Sequence, residues 1–230
     1  QIVMNALEEY LSTSRQGQAA VINQPPMDQL IDTLGLAEHL NEGDLTGSKL
    51  QQFMHDYLDA TTRLQHPGFL AHQVAASHPT GALGSLIDGL TNNAMAIYEM
   101  GPAASSIEYF MLNWMLNKVG WHTVAAAEQS NPESDHAGGV LTHGGSLANL
   151  TALLAARGAK IPEFWQQGNP GNLVVLVPEQ SHYSMKRAVA ILGLGETNCL
   201  KIAADSDGRI DPVALAQQVT ELKQQGRRCL

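Results

Sequence analysis

The sequence predicts an α/β protein in which a helical N-terminal segment, residues 1–120, precedes the first part of a mostly parallel-sheet domain, residues 121–230. Apolar residues recur at helical spacing up to Gly120, whereas short apolar runs alternate with helical stretches after Gly138. Such alternation is typical of a parallel sheet that is covered by helices on both faces. A chain of 230 residues, 44% hydrophobic and 15% charged, can bury the core that this fold needs.

Helices are predicted along most of the N-terminal segment. Proline is tolerated in the first turn of a helix and glycine often follows the last turn, so these residues mark helix ends. The predicted helices cover residues 4–11, residues 27–34, residues 50–58 with a cap at Thr46 or Ser48, residues 79–97, and residues 102–119, with a break at 66–68. Residues 110–115 form a stripe of Met and aromatic side chains, which we interpret as core or as subunit interface.

The second half of the chain is predicted to alternate strands with helices. The predicted strands are residues 140–141, 173–177 and 199–202, and the predicted helices are residues 146–157, 184–192 and 212–224. A polar loop is predicted at residues 131–135, and the next buried strand is expected to begin at residues 227–230.

Composition excludes several classes of protein. The formal net charge of -9 leaves no basic stripe for nucleic acid, and no apolar run is long enough to span a bilayer. Nothing at the N-terminus is typical of a signal peptide. The two cysteines, Cys199 and Cys229, have no metal-ligand spacing and indicate a reducing, cytoplasmic environment. The nine histidines contain no H-x-x-x-H pair, so no metal is expected.

The most informative stretch is T-H-G-G-S-L-A-N-L, residues 142–150, where a short apolar run meets two glycines and then an apolar helix. Glycine lacks a Cβ, so its backbone can approach a ligand closely. Ser146 is predicted as the N-cap of this helix, whose first amides lack intrahelical partners and whose dipole adds positive charge. The turn therefore predicts a phosphate site at Gly145 and Ser146, and an ordinary helix cap is the alternative.

A histidine follows the next predicted strand. The segment E-Q-S-H-Y-S-M-K-R-A, residues 179–188, comes directly after the apolar run 173–177. Ligands of open α/β sheets bind at the carboxyl ends of the strands, so His182 and the phosphate turn are expected to hold one cofactor. The alternative is a structural histidine that caps the following helix beside Ser181 or Ser184.

Together these motifs resemble those of the group II pyridoxal-phosphate-dependent amino-acid decarboxylases. The segment H-P-G-F-L-A-H, residues 66–72, is similar to the H-P-x-F motif of that family, and Y-E-M-G-P-A-A, residues 98–104, is similar to the stretch that follows it. The resemblance extends from Pro25 to the end of the chain and is strongest to L-2,4-diaminobutyrate decarboxylases, then to glutamate decarboxylases. It implies the type I fold of pyridoxal-phosphate enzymes and a homodimer in which the N-terminal helices wrap around the partner.

The resemblance also implies the cofactor and its ligands. Pyridoxal 5'-phosphate is the cofactor, and Gly145 and Ser146 match the phosphate-binding positions of the family. His182 matches the histidine that stacks on the pyridine ring and takes part in proton transfer. His143 stands where the family often has serine, a change that leaves the backbone cradle intact.

Polar residues mark the segment that the resemblance implies for the substrate. His72 and Gln73 stand where aromatic amino-acid decarboxylases carry mostly aromatic and apolar side chains. A polar lining favours a substrate with a polar side chain, because an aromatic ligand leaves buried polar groups without partners. The alternative is that both side chains face solvent. Asn92, Asn93 and Glu99 extend the polar character.

The family binds its cofactor covalently to a lysine in a His-Lys pair and pairs the pyridine nitrogen with an aspartate. No lysine of this chain follows a histidine; the lysines are Lys49, Lys118, Lys160, Lys186, Lys201 and Lys223. We therefore expect the lysine and the aspartate beyond Leu230, and we expect the 230-residue chain alone to be inactive.

The resemblance implies a carboxy-lyase of amino-acid metabolism that removes CO₂ from an L-amino acid with a polar side chain, L-2,4-diaminobutyrate or glutamate. An aminotransferase or another lyase of the same fold is one alternative. A truncated, non-catalytic scaffold is another. The composition and the resemblance predict a cytoplasmic homodimer that binds neither nucleic acid nor membrane.

Overall fold

A computed structural model describes residues 1–70, 72–125 and 135–230. Contacts between residues divide the chain into two compact units, Gln1–Ala94 and Met95–Leu230. The predicted division between residues 120 and 121 rests on the change of sequence pattern and stays a prediction. Most of the predicted loop at 131–135 lies outside the described residues, as does Ala71 of the motif at 66–72.

The described part of the first unit is helical, as predicted. Its helices are α1 (Ile2–Arg15), α2 (Met27–Thr33), α3 (Leu36–Glu42), α4 (Gly47–Asp59) and α5 (Pro79–Thr91). Helix α1 packs on α4. The buried Arg63 fixes the end of α1, because its Nη1 donates to Ser14 Oγ at 2.9 Å and to the carbonyl of Tyr10 at 3.2 Å.

Two helices of this unit differ from the prediction. The helix predicted over 79–97 ends at Thr91, because Asn92 adopts a left-handed conformation with φ 45° and closes the last turn. Helix α3 was not predicted; it lies between two left-handed glycines, Gly35 and Gly43.

The second unit holds the remaining helices and the sheet. Its helices are α6 (Pro102–Lys118), α7 (Gly145–Lys160), α8 (Phe164–Gln167), α9 (Tyr183–Ile191) and α10 (Pro212–Gln224), with short 3-10 helices at Tyr98–Met100 and Glu196–Asn198. Its strands are β1 (Leu173–Pro178), β2 (Cys199–Ile202) and β3 (Arg228–Cys229).

The sheet of the described residues has the order β2-β1-β3, and both pairings are parallel. Pro178 pairs with Ile202, so β1 and β2 end together at one edge. A strand does begin near the end of the chain, as predicted, because β3 pairs with the start of β1. The α/β fold class is therefore confirmed.

The strand predicted at residues 140–141 is wrong. Val140 and Leu141 are 60% and 54% exposed and lie outside the strands that the structure describes. An extended segment becomes a strand only when a neighbour takes up its backbone hydrogen bonds, and the described sheet has no strand beside this pair.

The core of the second unit lies between the sheet and its helices. Its most buried side chains come from β1, from α9 and from the segment after α7, and include Leu173, Val174, Ile161 and Val189, all at most 2% exposed. Helix α7 packs on α9, and α9 packs on β2. This packing fixes both helices whose first turns carry the sequence motifs.

The stripe at residues 110–115 of α6 does not form core within the described chain. Phe110, Trp114 and Met115 are 65%, 49% and 37% exposed. The core interpretation is therefore wrong for the described residues, and the subunit-interface interpretation stays a prediction. No helix among the described residues is both long and apolar enough to cross a membrane. Cys199 and Cys229 are free thiols.

Candidate functional site

The turn before α7 depends on one glycine. Gly144 has φ 84° and ψ 156°, a conformation that is essentially restricted to glycine. It occupies the N-cap position, and its carbonyl accepts the first hydrogen bond of the helix from the Ala148 amide at 3.2 Å. The prediction that Ser146 is the N-cap is therefore wrong. Ser146 is the second residue of the helix, because the glycine turn starts the helix at Gly145.

This first turn of α7 fits a phosphate group. The amides of Gly145 and Ser146 precede the first intrahelical bond, so they remain available to an anion at the positive end of a helix of 16 residues. Both residues are exposed. A Cβ built on Gly144 or Gly145 would meet no atom within 4 Å, so there is open space beside the turn.

His182 lies beyond the carboxyl end of β1. The Ser181 amide donates to the Pro178 carbonyl at 2.9 Å and turns the chain into α9. His182 is the N-cap of this helix, because its Nδ1 accepts the Ser184 amide at 3.3 Å. The structural alternative for His182 is thus observed. The cap engages one ring nitrogen while the residue remains exposed, so it is compatible with a cofactor beside the ring.

A hydrogen-bonded chain joins the two helices that carry these motifs. Asn149 Nδ2 on α7 donates to Ser184 Oγ on α9 at 2.8 Å, and Ser184 Oγ lies 2.8 Å from His182 Nδ1. Ser184 is only 2% exposed. The structure thus connects α7, the helix that begins with Gly145 and Ser146, to His182. That the two hold one cofactor stays a prediction.

Sequence reasoning missed Asn149 and Ser184 as members of this site. Both stand within the quoted motifs, and Ser184 was considered only as a neighbour of a capping histidine. Asn149 follows Ser146 by three positions on α7, which places both on neighbouring positions of one helix surface. That spacing was the available signal, but the partner of Asn149 lies 35 residues further along the chain.

A narrow groove between α7 and α9 brings Ser146 close to α9. Its volume is about 180 Å³, and it is lined by Ser146, Leu147, Leu150, Ser184, Arg187, Ala188 and Ile191. Most of these side chains are aliphatic, so the groove itself is a packing seam between the helices. Ser146, in the first turn of α7, is one of the residues that line it.

The basic pair on α9 forms contacts of its own. Lys186 Nζ lies 2.8 Å from a carboxylate oxygen of Glu196, and this hydrogen bond raises the pKa of Lys186. The Arg187 guanidinium lies over the Tyr183 ring, 4.7 Å from its centroid, and that ring is 4.2 Å from the centroid of His182. Lys186 and Arg187 are exposed, as predicted for a solvated helix face.

The predicted substrate residues belong to the first unit. His72 and Gln73 are both exposed, and His72 has φ 57°. Their exposure agrees with the solvent-facing alternative, and their place in a pocket stays a prediction. Asn92 is the C-cap of α5 and Asn93 follows it in the first unit, while Glu99 lies in the second unit.

No group of His, Cys, Asp or Glu side chains in residues 1–70, 72–125 and 135–230 is arranged to hold a metal ion. The glycine turn at the N-terminus of α7 and the histidine beyond the carboxyl end of β1 form a candidate site for a phosphorylated organic cofactor, since both positions are ones at which such ligands bind in α/β proteins.

Comparison with known proteins identifies the family. The family model described as the pyridoxal-dependent decarboxylase conserved domain matches residues 39–229. The chain therefore belongs to the pyridoxal-dependent decarboxylase family. The predicted family and its cofactor, pyridoxal 5'-phosphate, are confirmed.

Curated relatives of this chain include decarboxylases with different substrates. A glutamate decarboxylase-like protein of Gibberella zeae is 32% identical over 166 residues, which are 71% of this chain and 30% of that protein. An L-2,4-diaminobutyrate decarboxylase of Acinetobacter baumannii is 25% identical over 201 residues, 81% of this chain and 37% of that protein. The chain thus spans about a third of the length of these two relatives.

Solved structures share the fold. The crystal structure of mouse CSAD matches 99% of this chain and 47% of its own, with a TM-score of 0.79 and 21% identity. The glutamate decarboxylase domain from Vibrio parahaemolyticus matches 98% of this chain and 48% of its own, with a TM-score of 0.73 and 20% identity. The predicted fold, a helical segment followed by part of a pyridoxal-phosphate enzyme domain, is confirmed.

Proposed function

We propose that the protein carrying this chain decarboxylates an L-amino acid with a polar side chain, L-2,4-diaminobutyrate or glutamate, and releases CO₂ and an amine. The observation that carries this proposal is the hydrogen-bonded connection from Asn149, one turn after Ser146 on α7, through Ser184 to His182. The glycine turn and His182 are each insufficient to indicate a cofactor site alone, and this connection supports their assignment to one site. The family model and the names of the curated relatives support it.

The cofactor supplies the electron sink of the reaction: when bound, its ring withdraws electrons from the substrate's α-carbon as CO₂ leaves. The chain described here supplies binding and orientation. The amides of Gly145 and Ser146, with the Ser146 hydroxyl, would hold the phosphate at the positive end of α7. His182 would stack on the ring of the cofactor and exclude water from that face.

His182 is also the residue proposed to move a proton. A histidine that caps a helix through Nδ1 keeps Nε2 for exchange with a reacting group. General acid–base groups of this kind contribute about 10²–10⁴-fold to rate. The residues that we assign to the phosphate and the ring are Gly145, Ser146, Asn149, His182 and Ser184. Among these five, His182 alone has a side chain that exchanges a proton near neutral pH.

The substrate choice rests on polarity. His72 and Gln73, in the segment after the H-P-G-F motif, are proposed to face the substrate side chain. Both side chains are exposed in this chain, so the selection acts when a bound substrate covers them: an aromatic side chain would then leave these polar groups unpaired. The relatives named for glutamate and for diaminobutyrate agree with such a preference, whereas a relative from Bacillus atrophaeus is named for aromatic amino acids.

A homodimer in the cytoplasm is part of the proposal. Helix α6 exposes Ile107, Phe110 and Trp114, and large apolar side chains at helical spacing are typical of a covered interface. The proposed partner is a second copy of the same protein.

A panel of amino acids assayed for CO₂ release tests the function. We expect turnover of L-2,4-diaminobutyrate or glutamate, and much slower turnover of DOPA and tryptophan. A preference for the aromatic substrates contradicts the polar pocket. Release of a keto acid without CO₂ indicates the aminotransferase alternative, and the lack of a visible absorbance band with pyridoxal phosphate indicates the scaffold.

A further inference from the structure

Ser184 combines deep burial with hydrogen bonds to two side chains of the site, Asn149 and His182. It is 2% exposed, its hydroxyl accepts Asn149 Nδ2 at 2.8 Å, and the same hydroxyl lies 2.8 Å from His182 Nδ1. Its backbone amide donates to that Nδ1 at 3.3 Å. A hydroxyl has a single proton, so the donor and acceptor roles of its two partners decide where that proton points.

The direction follows from the donors. A backbone amide can only donate, so His182 Nδ1 is an acceptor. Asn149 donates its amide hydrogen to Ser184 Oγ, which leaves the serine proton to be donated to Nδ1. In the neutral imidazole one nitrogen accepts and the other carries the hydrogen, so the hydrogen of His182 is on Nε2.

We infer that Asn149 and Ser184 are positioning residues that fix His182 as the Nε2–H tautomer and hold its ring in one orientation. The inference rests on the proposed function for its catalytic consequence, but the tautomer itself is a property of this chain alone. Neither residue touches the reacting atoms in this proposal; both act through His182.

As a consequence, one hydrogen-bonded chain fixes both the position of α7, which carries the phosphate turn, and the orientation of the His182 ring. Asn149 lies one turn after Ser146 on α7, and His182 is the cap of α9. Because the Asn149–Ser184 hydrogen bond joins α7 to α9, a shift of one helix relative to the other would break this bond. The phosphate-binding turn and the histidine are therefore held in register, and the ring presents Nε2–H as its donor.

Nuclear magnetic resonance of the protein with ¹⁵N-labelled histidine tests the inference directly. Two-bond ¹H–¹⁵N correlations distinguish the two tautomers, and the His182 signals are assigned by their loss in His182→Gln. The spectra are recorded in alkaline buffer, well above the ordinary histidine pKa. We expect the wild-type ring to show the Nε2–H pattern. An Nδ1–H pattern in the wild type overturns the inference.

The sharpest variant is Asn149→Asp, which keeps the side-chain shape and reverses its hydrogen-bonding role. A carboxylate only accepts, so it takes the Ser184 proton, and Ser184 Oγ then accepts from the ring. We expect His182 to shift toward the Nδ1–H tautomer. A folded Asn149→Asp protein with an unchanged Nε2–H ring overturns the inference.

Ser184→Ala and its matched control complete the experiment. The alanine removes the hydroxyl from Nδ1 and leaves only the longer bond from the backbone amide of position 184, at 3.3 Å, to favour the Nε2–H tautomer. We therefore expect a measurable increase of the Nδ1–H tautomer, while Ser181→Ala, in the same turn, is expected to leave the tautomer unchanged. We expect Ser184→Ala to lower kcat about tenfold, which corresponds to the loss of one hydrogen bond of about 1.4 kcal/mol, with a smaller change in KM.

Activity and tautomer separate the two proposals. A loss of kcat in Ser184→Ala with an unchanged Nε2–H ring assigns Ser184 to packing alone and overturns the inference. If the tautomer shifts as expected but the wild-type protein releases no CO₂ from any amino acid, the proposed function fails while the positioning role stands. Circular dichroism of each variant establishes that it is folded.

Discussion

The guanidinium carbon of Arg157 lies 4.0 Å from the centroid of the Phe164 ring, and both side chains are buried. Arg157 Nη1 donates to Asn169 Oδ1 and to the Leu192 carbonyl, each at 2.9 Å. Its burial lowers the pKa of the guanidinium, and among the described residues its Nε has no hydrogen-bond partner. This arginine ties the end of α7 to the turn after α9, opposite the end that carries the glycine turn.

Arg157→Ala is expected to destabilise the protein by about 2 kcal/mol or more, because it removes packing on Phe164 and opens a cavity. Arg157→Met keeps most of the volume and is expected to be less harmful, since the Leu192 carbonyl still accepts Asn169 Nδ2 at 2.7 Å. Urea unfolding measures both variants. Equal losses of stability in the two would show that the charge, not the packing, holds this contact.

His182→Ala is expected to lower kcat by about 10²-fold or more, on the scale of a positioned acid–base group. Because His182 also caps α9, the same variant is expected to lose about 1 kcal/mol of stability. His182→Asn is the matched control, since asparagine is a good N-cap and keeps an acceptor for the Ser184 amide. Steady-state kinetics and thermal unfolding separate the two roles.

The capping role and the catalytic role of His182 predict different results for His182→Asn. If His182→Asn restores both stability and kcat, the ring is only a cap and the proposed catalytic role is wrong. Restored stability with low kcat is the expected result.

Ser146→Ala removes one hydrogen bond to a charged group, a change of roughly 1.5–3 kcal/mol. Affinity for pyridoxal phosphate is expected to fall about tenfold or more. Ser146→Thr keeps the hydroxyl at an exposed position and is expected to bind normally. Absorbance titration of the apoprotein measures both. Normal affinity in the alanine variant means that the phosphate does not use this hydroxyl.

The two glycines of the turn are expected to respond differently to alanine. Gly144 has φ 84°, so Gly144→Ala places a Cβ on a backbone that strains any other residue, a cost of about 1–3 kcal/mol. Gly145 is the first residue of α7 and lies outside the positive-φ glycines, so Gly145→Ala is expected to leave stability unchanged. It is expected to weaken phosphate binding, since its Cβ occupies the open space beside the turn. Equal unfolding midpoints for the two variants would contradict this account.

The 230-residue chain by itself is expected not to decarboxylate amino acids, because none of its lysines follows a histidine. Pyridoxal phosphate is expected to bind weakly and reversibly through the local phosphate turn. Borohydride reduction followed by peptide mapping checks this. One lysine labelled stoichiometrically, together with CO₂ release, would show that the chain carries its own covalent attachment site.

Local sequence determined much of the fold. Proline before Met27, at Pro102 and at Pro212 set helix starts, and helices begin at or directly after each of them. The apolar runs that became β1 and β2 were predicted within a residue, because buried parallel strands are continuous apolar runs. The family and the cofactor also followed from motifs in the sequence alone, while the roles of Gly145, Ser146 and His182 stay predictions.

Tertiary structure decided what depends on partners distant in the chain. Val140 and Leu141 have strand-like side chains but no neighbouring strand in the described sheet, so they stay outside it. The buried Ser184 meets Asn149 from another helix, and spacing along the sequence does not encode that meeting. Gly144 rather than Ser146 is the N-cap of α7, because the backbone conformation required at the turn is essentially restricted to glycine. Residue types thus set which chemistry is present, and packing of α7 on α9 set which atoms are joined.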